Sequence, residues 1–96
     1  MTLESFFGIE PKTVEQERRD RIRLSVFAYA YEYENVSLVT DHEFDELCLK
    51  IDTSIKTGNK KLDNFFSKHF DPATGMWVRK HPDKAGLKNI YLRYFK

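Results

Sequence analysis

Two four-residue boxes constrain this chain more than any other feature: Thr13-Val14-Glu15-Gln16 and Thr40-Asp41-His42-Glu43. In each, the threonine hydroxyl can accept the backbone N–H three residues on, while Gln or Glu at that position reaches back to the threonine N–H. Acidic residues follow in both first turns, Glu15 and Glu17 in one and Asp41 in the other, where the helix dipole favours them. Behind the first box Ile22, Val26, Tyr29 and Tyr33 recur at helical spacing, widened by Phe27 and Ala30, which predicts a helix from Thr13 to about Tyr33. Behind the second, Phe44, Leu47, Cys48, Ile51 and Ile55 make an apolar stripe that runs on to a stop at Gly58. The charged run Glu15–Arg23 has no apolar side chain before Ile22 and reads as a solvated face, its four arginines interleaved with acids.

The rest of the chain adds two helices. Asn59 caps a third, Lys60 to about Phe70, that buries Leu62, Phe65 and Phe66. Asp71-Pro72-Ala73-Thr74-Gly75 is a turn, and Met76-Trp77-Val78 follows as one short extended piece. Pro82 suits the first turn of a last helix whose apolar face is Leu87, Ile90, Tyr91 and Tyr94. The expected fold is therefore all-α: a small single domain, residues 1–96, of about four helices. Residues 1–12 form an N-terminal docking segment, because Leu3, Phe6 and Phe7 share one face of a single turn. That L-x-x-F-F pattern, repeated at Leu62, Phe65 and Phe66, also resembles the peptides that bind sliding clamps, without the glutamine such peptides carry ahead of the leucine.

At 96 residues the chain can bury an ordinary core without staples. One cysteine excludes a disulfide scaffold and a multi-cysteine metal site, and no stretch approaches the roughly 20 apolar residues of a membrane span. With no recognisable signal peptide, the expected compartment is the cytoplasm, that of the host cell if the protein is phage-encoded, and no membrane is expected as partner. The net charge of +1 hides an asymmetry. Residues 1–48 carry five Lys/Arg against eleven Asp/Glu, a net −6, and residues 49–96 carry eleven against four, a net +7.

Few residues offer chemistry. His42 with Asp45, and His69 with Asp71, are pairs where a metal needs three or four ligands. Cys48 lies on an apolar stripe, where a thiol is inert. No phosphate-binding glycine loop is present, and carboxylates at helix starts read first as caps. The expectation is no enzyme and no cofactor of its own. Aromatic side chains are the better binding candidates. Tyr29, Tyr31 and Tyr33 alternate by two and cannot share a helical face, so Tyr31 points where Asp41 and Asp45 face. A ring beside carboxylates suits stacking and accepting hydrogen bonds from hydroxyls or a cation. Trp77, flanked by Arg79 and Lys80, is either a core residue or an anchor for a protein partner.

At Tyr31, Asp41 and Asp45 the chain resembles the N-terminal helical (Ia-type) subdomain of NAD-dependent DNA ligases. That signature is Tyr-His, a short connection, then Asp-x-x-Tyr-Asp opening the next helix. Glu32 stands here in place of the histidine and Phe44 in place of the second tyrosine. The resemblance covers about a quarter of the chain and implies a helical hairpin that holds nicotinamide mononucleotide through those three residues. The adenylation motif K-x-D-G is absent, so it implies no ligation by this chain. The run F-D-P-A-T-G-M-W-V-x-x-H-P is also similar to small uncharacterised phage-encoded proteins. Together these readings lead to a non-enzymatic, phage-type protein that binds a host protein or complex, as an inhibitor of host or defence machinery. The alternatives are a nicotinamide-nucleotide-binding module and a nucleic-acid-binding accessory protein. The last would use Lys56, Lys60, Lys61, Lys68, Arg79, Lys80, Lys84, Lys88 and Arg93.

Overall fold

The computed structural model describes residues 12–96, and the expected docking turn of Leu3, Phe6 and Phe7 lies outside them. Four helices carry the fold: α1 (Val14–Glu34), α2 (Asp41–Lys50), α3 (Lys60–His69) and α4 (Lys84–Tyr94), with a 3-10 turn at Met76–Lys80 between the last two. No strand occurs among the described residues. Both capping boxes form. Thr13 Oγ1 accepts the Gln16 N–H at 3.1 Å, and Thr40 Oγ1 accepts the Glu43 N–H at 3.1 Å.

The first helix is the axis of the molecule. Positions Leu24 through Ala30 are all buried, Ser25 included, so this half of α1 is enclosed on every side rather than along one stripe. A helix surrounded in this way needs small residues for close approach, which Ser25, Ala28 and Ala30 supply. Around it pack α2, α4 and the 3-10 turn, while α3 lies against the 3-10 turn. Asn35 ends α1 in the left-handed region at φ 57, a conformation asparagine tolerates, and the Val36 N–H closes the turn onto Ala30 O at 3.0 Å. The expected stripe holds only in its middle. Val26 and Tyr29 are buried, whereas Ile22 and Tyr33, at its two ends, are exposed.

The charged start of α1 is solvated as expected at Glu15, Arg18, Arg19 and Arg23 and departs from expectation at two positions. Glu17 and Arg21 are 0% and 4% exposed, not a solvated face. The Arg21 guanidinium donates from Nε to Glu17, from Nη1 to Asp63 Oδ1 at 2.9 Å, and from Nη2 to the carbonyls of Asp52 and Ile55, each at 2.9 Å. Glu17 in turn accepts the Asp52 N–H at 3.0 Å and the Lys12 ammonium at 2.8 Å. Asp63 completes the cluster by accepting the Thr57 N–H at 3.0 Å and the Thr57 hydroxyl at 2.6 Å. A buried arginine needs this many acceptors, because an unmet charge in the interior costs several kcal/mol.

The same cluster explains why α2 stops early. Its apolar stripe continues to Ile55, yet the helix ends at Lys50 and Ile51 turns extended at ψ 129. The Asp52 N–H is taken by Glu17, and Arg21 donates to the Asp52 and Ile55 carbonyls. This holds the stretch in a turn closed by the Ile55 N–H on Asp52 O at 3.2 Å rather than in a further helical turn. Gly58, expected as the helix stop, instead supplies a φ of 90 in the connection to α3. The expected extended piece at Met76–Val78 is the 3-10 turn, and Trp77 within it is 5% exposed, its ring against Phe66 and Phe70 with centroids 5.4 and 5.5 Å away. Pro82 precedes the helix: Asp83 is the cap of α4, its Oδ1 accepting the Gly86 N–H at 2.9 Å. Tyr94, expected on the apolar face, is 70% exposed.

Candidate functional site

Between the C-terminal half of α1, the start of α2 and the turn before Met76 lies an open cleft of about 330 Å³. That is within the range of small-ligand sites. Its position follows from the hairpin. The α1–α2 connection is short, and Val36, Leu38, Val39 and Phe44 pack half-buried against the core, which seats the first turn of α2 beside α1. Tyr31, two positions from the buried Tyr29, faces the other way and is 64% exposed at the cleft. Asp41 and Asp45, one helical turn apart on α2, line the same space.

Phe27, Ala28 and Phe44 supply the apolar lining. Gly75 does too, and only glycine fits without displacement there: a Cβ would stand 3.2 Å from Phe44 Cζ and 3.4 Å from Ala28 Cβ. Sequence reasoning placed a turn at Gly75 without linking it to a site, because nothing local shows what the turn packs against. Met76, also at the cleft, was assigned only to the short extended piece after that turn and is 51% exposed.

Charge is distributed unevenly around this lining. Glu32 accepts a hydrogen bond from Arg79 Nε at 3.0 Å, and Arg79 Nη2 stands 2.9 Å from the same carboxylate oxygen as an ion pair. The Glu32 charge is thereby offset. Asp41 and Asp45 are both exposed and form no ion pair among the described residues, while the neighbouring His42 turns to Glu46 at 3.0 Å. The cleft thus presents two uncompensated carboxylates beside an exposed phenol ring. Such a constellation attracts a cation, accepts hydroxyl donors and offers a ring face for stacking.

The remaining candidates separate. Trp77 belongs to the core and offers no exposed ring, whereas Arg79 and Lys80 beside it are exposed. The basic residues considered for nucleic acid are distributed over α3, the 3-10 turn, α4 and the connection before α3. Cys48 is 1% exposed and burial pushes its thiol up to about 11, which leaves it protonated. Among the described residues no group of three or more His, Cys, Asp or Glu is placed to hold a metal ion, and no helix is long and apolar enough to cross a membrane. Comparison with protein families, curated proteins and solved structures finds no match to this chain.

Proposed function

We propose that the chain is a binding module whose Tyr31–Asp41–Asp45 cleft takes a cationic aromatic ring attached to a hydroxyl-bearing sugar, of the kind found at the nicotinamide end of nicotinamide mononucleotide. The observation that supports this is convergence. Three residues separated by up to fourteen positions, and singled out by their resemblance to a nucleotide-gripping hairpin, line one cleft with an apolar wall. In this reading Tyr31 stacks on the ring, and Asp41 and Asp45 favour its positive charge and accept ribose hydroxyls. The phosphate gains nothing from two carboxylates, so it faces solvent.

The test is a titration of isotope-labelled protein with nicotinamide riboside and with its mononucleotide. Amide shifts at Tyr31, Asp41 and Asp45 are expected with both, the riboside binding at least as tightly. Silence at millimolar ligand ends this reading. A second reading, capture of a host macromolecule by a phage-type accessory protein, draws support from the cleft rim, where Tyr31 and Met76 are exposed apolar side chains beside the exposed Arg79 and Lys80. Its test is retention of one abundant partner from a host lysate, weakened by Met76→Glu.

A further inference from the structure

Nearer the start of α1, residues of α1, α3 and α4 line a second open cavity of about 280 Å³ that shares no lining residue with the acidic cleft. Its walls are largely apolar, from Ile22 on α1, Leu62 and Phe66 on α3, and Leu87 and Ile90 on α4. Two of its polar groups that the protein does not fully use are His81 and Arg18. His81 lines the cavity and is 6% exposed; its Nδ1 accepts the Asp83 N–H at 3.0 Å, so in the neutral ring the proton sits on Nε2. That Nε2–H donates to no partner among the described residues. Burial, the largest influence, pushes His81 down to about 4, so the neutral donor form is the one present at pH 7.

Arg18 is the other group. It stands exposed at the cavity, donates from Nη2 to Thr57 O at 2.6 Å and pairs with no carboxylate among the described residues. The Asn59 amide nitrogen, exposed at the rim, donates to none of the described residues, and the other charged or donor groups at the cavity are engaged. Arg21 is held by Glu17, Asp63 and two carbonyls. Asp83 caps Gly86, and the Ser25 hydroxyl donates to Arg21 O at 2.7 Å.

We propose that this cavity is a binding site for a compact apolar monocarboxylate, its hydrocarbon body against Leu62, Phe66 and Leu87 and its carboxylate shared between the His81 Nε2–H and the Arg18 guanidinium. An apolar pocket with a few convergent polar groups is the usual form of a small-ligand site. A carboxylate there meets one fixed neutral donor and one cation, and the Arg18 fork suits it geometrically. The site is independent of the Tyr31 cleft and does not require that cleft to bind anything.

The experiment uses the full chain and two probes of equal shape, phenylacetate and its neutral amide phenylacetamide. Phenylacetate at millimolar concentration is expected to give saturable amide shifts at Leu62, Phe66 and Leu87 and to move the His81 Nε2–H signal. The amide should bind about tenfold more weakly, since it lacks the charge that Arg18 recognises. Arg18→Gln, a change at an exposed position, should cost phenylacetate about the same factor and leave the amide unaffected. Absence of saturable shifts at the three wall residues overturns the proposal, as does equal binding of the acid by the Arg18→Gln protein. Shifts confined to Tyr31 and Asp41 also overturn it, because they place the ligand in the other cleft.

Discussion

Near the start of α1, Glu17 and Arg21 are buried and their charges are spent on Asp63, Lys12 and the backbone of the 51–59 connection. Two to three turns further along, α1 passes through the core, and at its far end Tyr31 and Glu32 meet Asp41 and Asp45 at an open cleft. Both regions are acidic and basic residues gathered beside apolar packing. They differ in whether the charges find partners inside the protein. Where all three nitrogens of a guanidinium are engaged, the cluster fixes the path of the chain, here beside the end of α2 at Lys50. Where two carboxylates have no ion-pair partner among the described residues, they stand open to water beside the cleft. Unsatisfied charge, rather than charge itself, separates the proposed binding face from the structural one.

The strongest way to break that comparison is to empty the structural end. Arg21→Ala leaves Glu17 buried without its nearest cation and frees the Asp52 and Ile55 carbonyls, so a loss of roughly 3–5 kcal/mol is expected in urea unfolding. Asp45→Asn at the cleft should stay within about 0.5 kcal/mol of the parent, as exposed substitutions do. Equal losses from the two substitutions would mean that the cleft carboxylate is structural after all.

A pH series sharpens the contrast next. Asp63 is held below the ordinary carboxylate value of 3.8: burial opposes its ionisation, but the Thr57 and Arg21 bonds outweigh it. Its contribution is present above 3.8 and is lost only as the pH falls beneath that value. His81 titrates in another window, because its folded midpoint of about 4 lies below the ordinary 6.5. Between those two values the unfolded chain takes up a proton that the folded chain refuses. From this group, stability should therefore be flat between about pH 6.5 and 8 and fall by roughly 3 kcal/mol on approach to pH 4. Urea midpoints measured across that range check it, and His81→Gln should flatten the slope. A slope unchanged in that variant would assign the loss to other groups.

How far this could be read from the residues depends on how local the cause is. The capping boxes and the apolar spacing act within four residues, and they place the starts of α1, α2 and α3 correctly. The end of α2 is non-local: its stripe through Ile51 and Ile55 is genuine helical spacing, overruled by Arg21 some thirty positions earlier. Burial of Glu17 and Arg21 was illegible for the same reason, since a charged i,i+4 pair on a helix looks identical whether it faces water or a loop. At the cleft, Tyr31, Asp41 and Asp45 were legible through the resemblance and the alternation of the tyrosines. Gly75 and Met76 were not, because only tertiary packing brings that turn against Phe44 and Ala28.

The smallest effect is the most discriminating, because it lies on the boundary between the two kinds of charge. Glu32 lines the cleft, yet Arg79 offsets it through an ion pair whose arginine is 58% exposed. A pair this open to water contributes about 0.2–1 kcal/mol at most, so Arg79→Ala should lower the melting temperature only slightly. Its effect on binding has the opposite sign. Removing the guanidinium releases Glu32 as a third carboxylate beside Asp41 and Asp45, and a cationic ring should then bind about two- to fivefold more tightly, the more so at low salt. Isothermal titration with nicotinamide riboside measures this directly. Weaker binding in Arg79→Ala would show that the guanidinium itself contacts the ligand, and the cleft would then have to be read as a paired site with a mixed preference rather than a purely cation-seeking one.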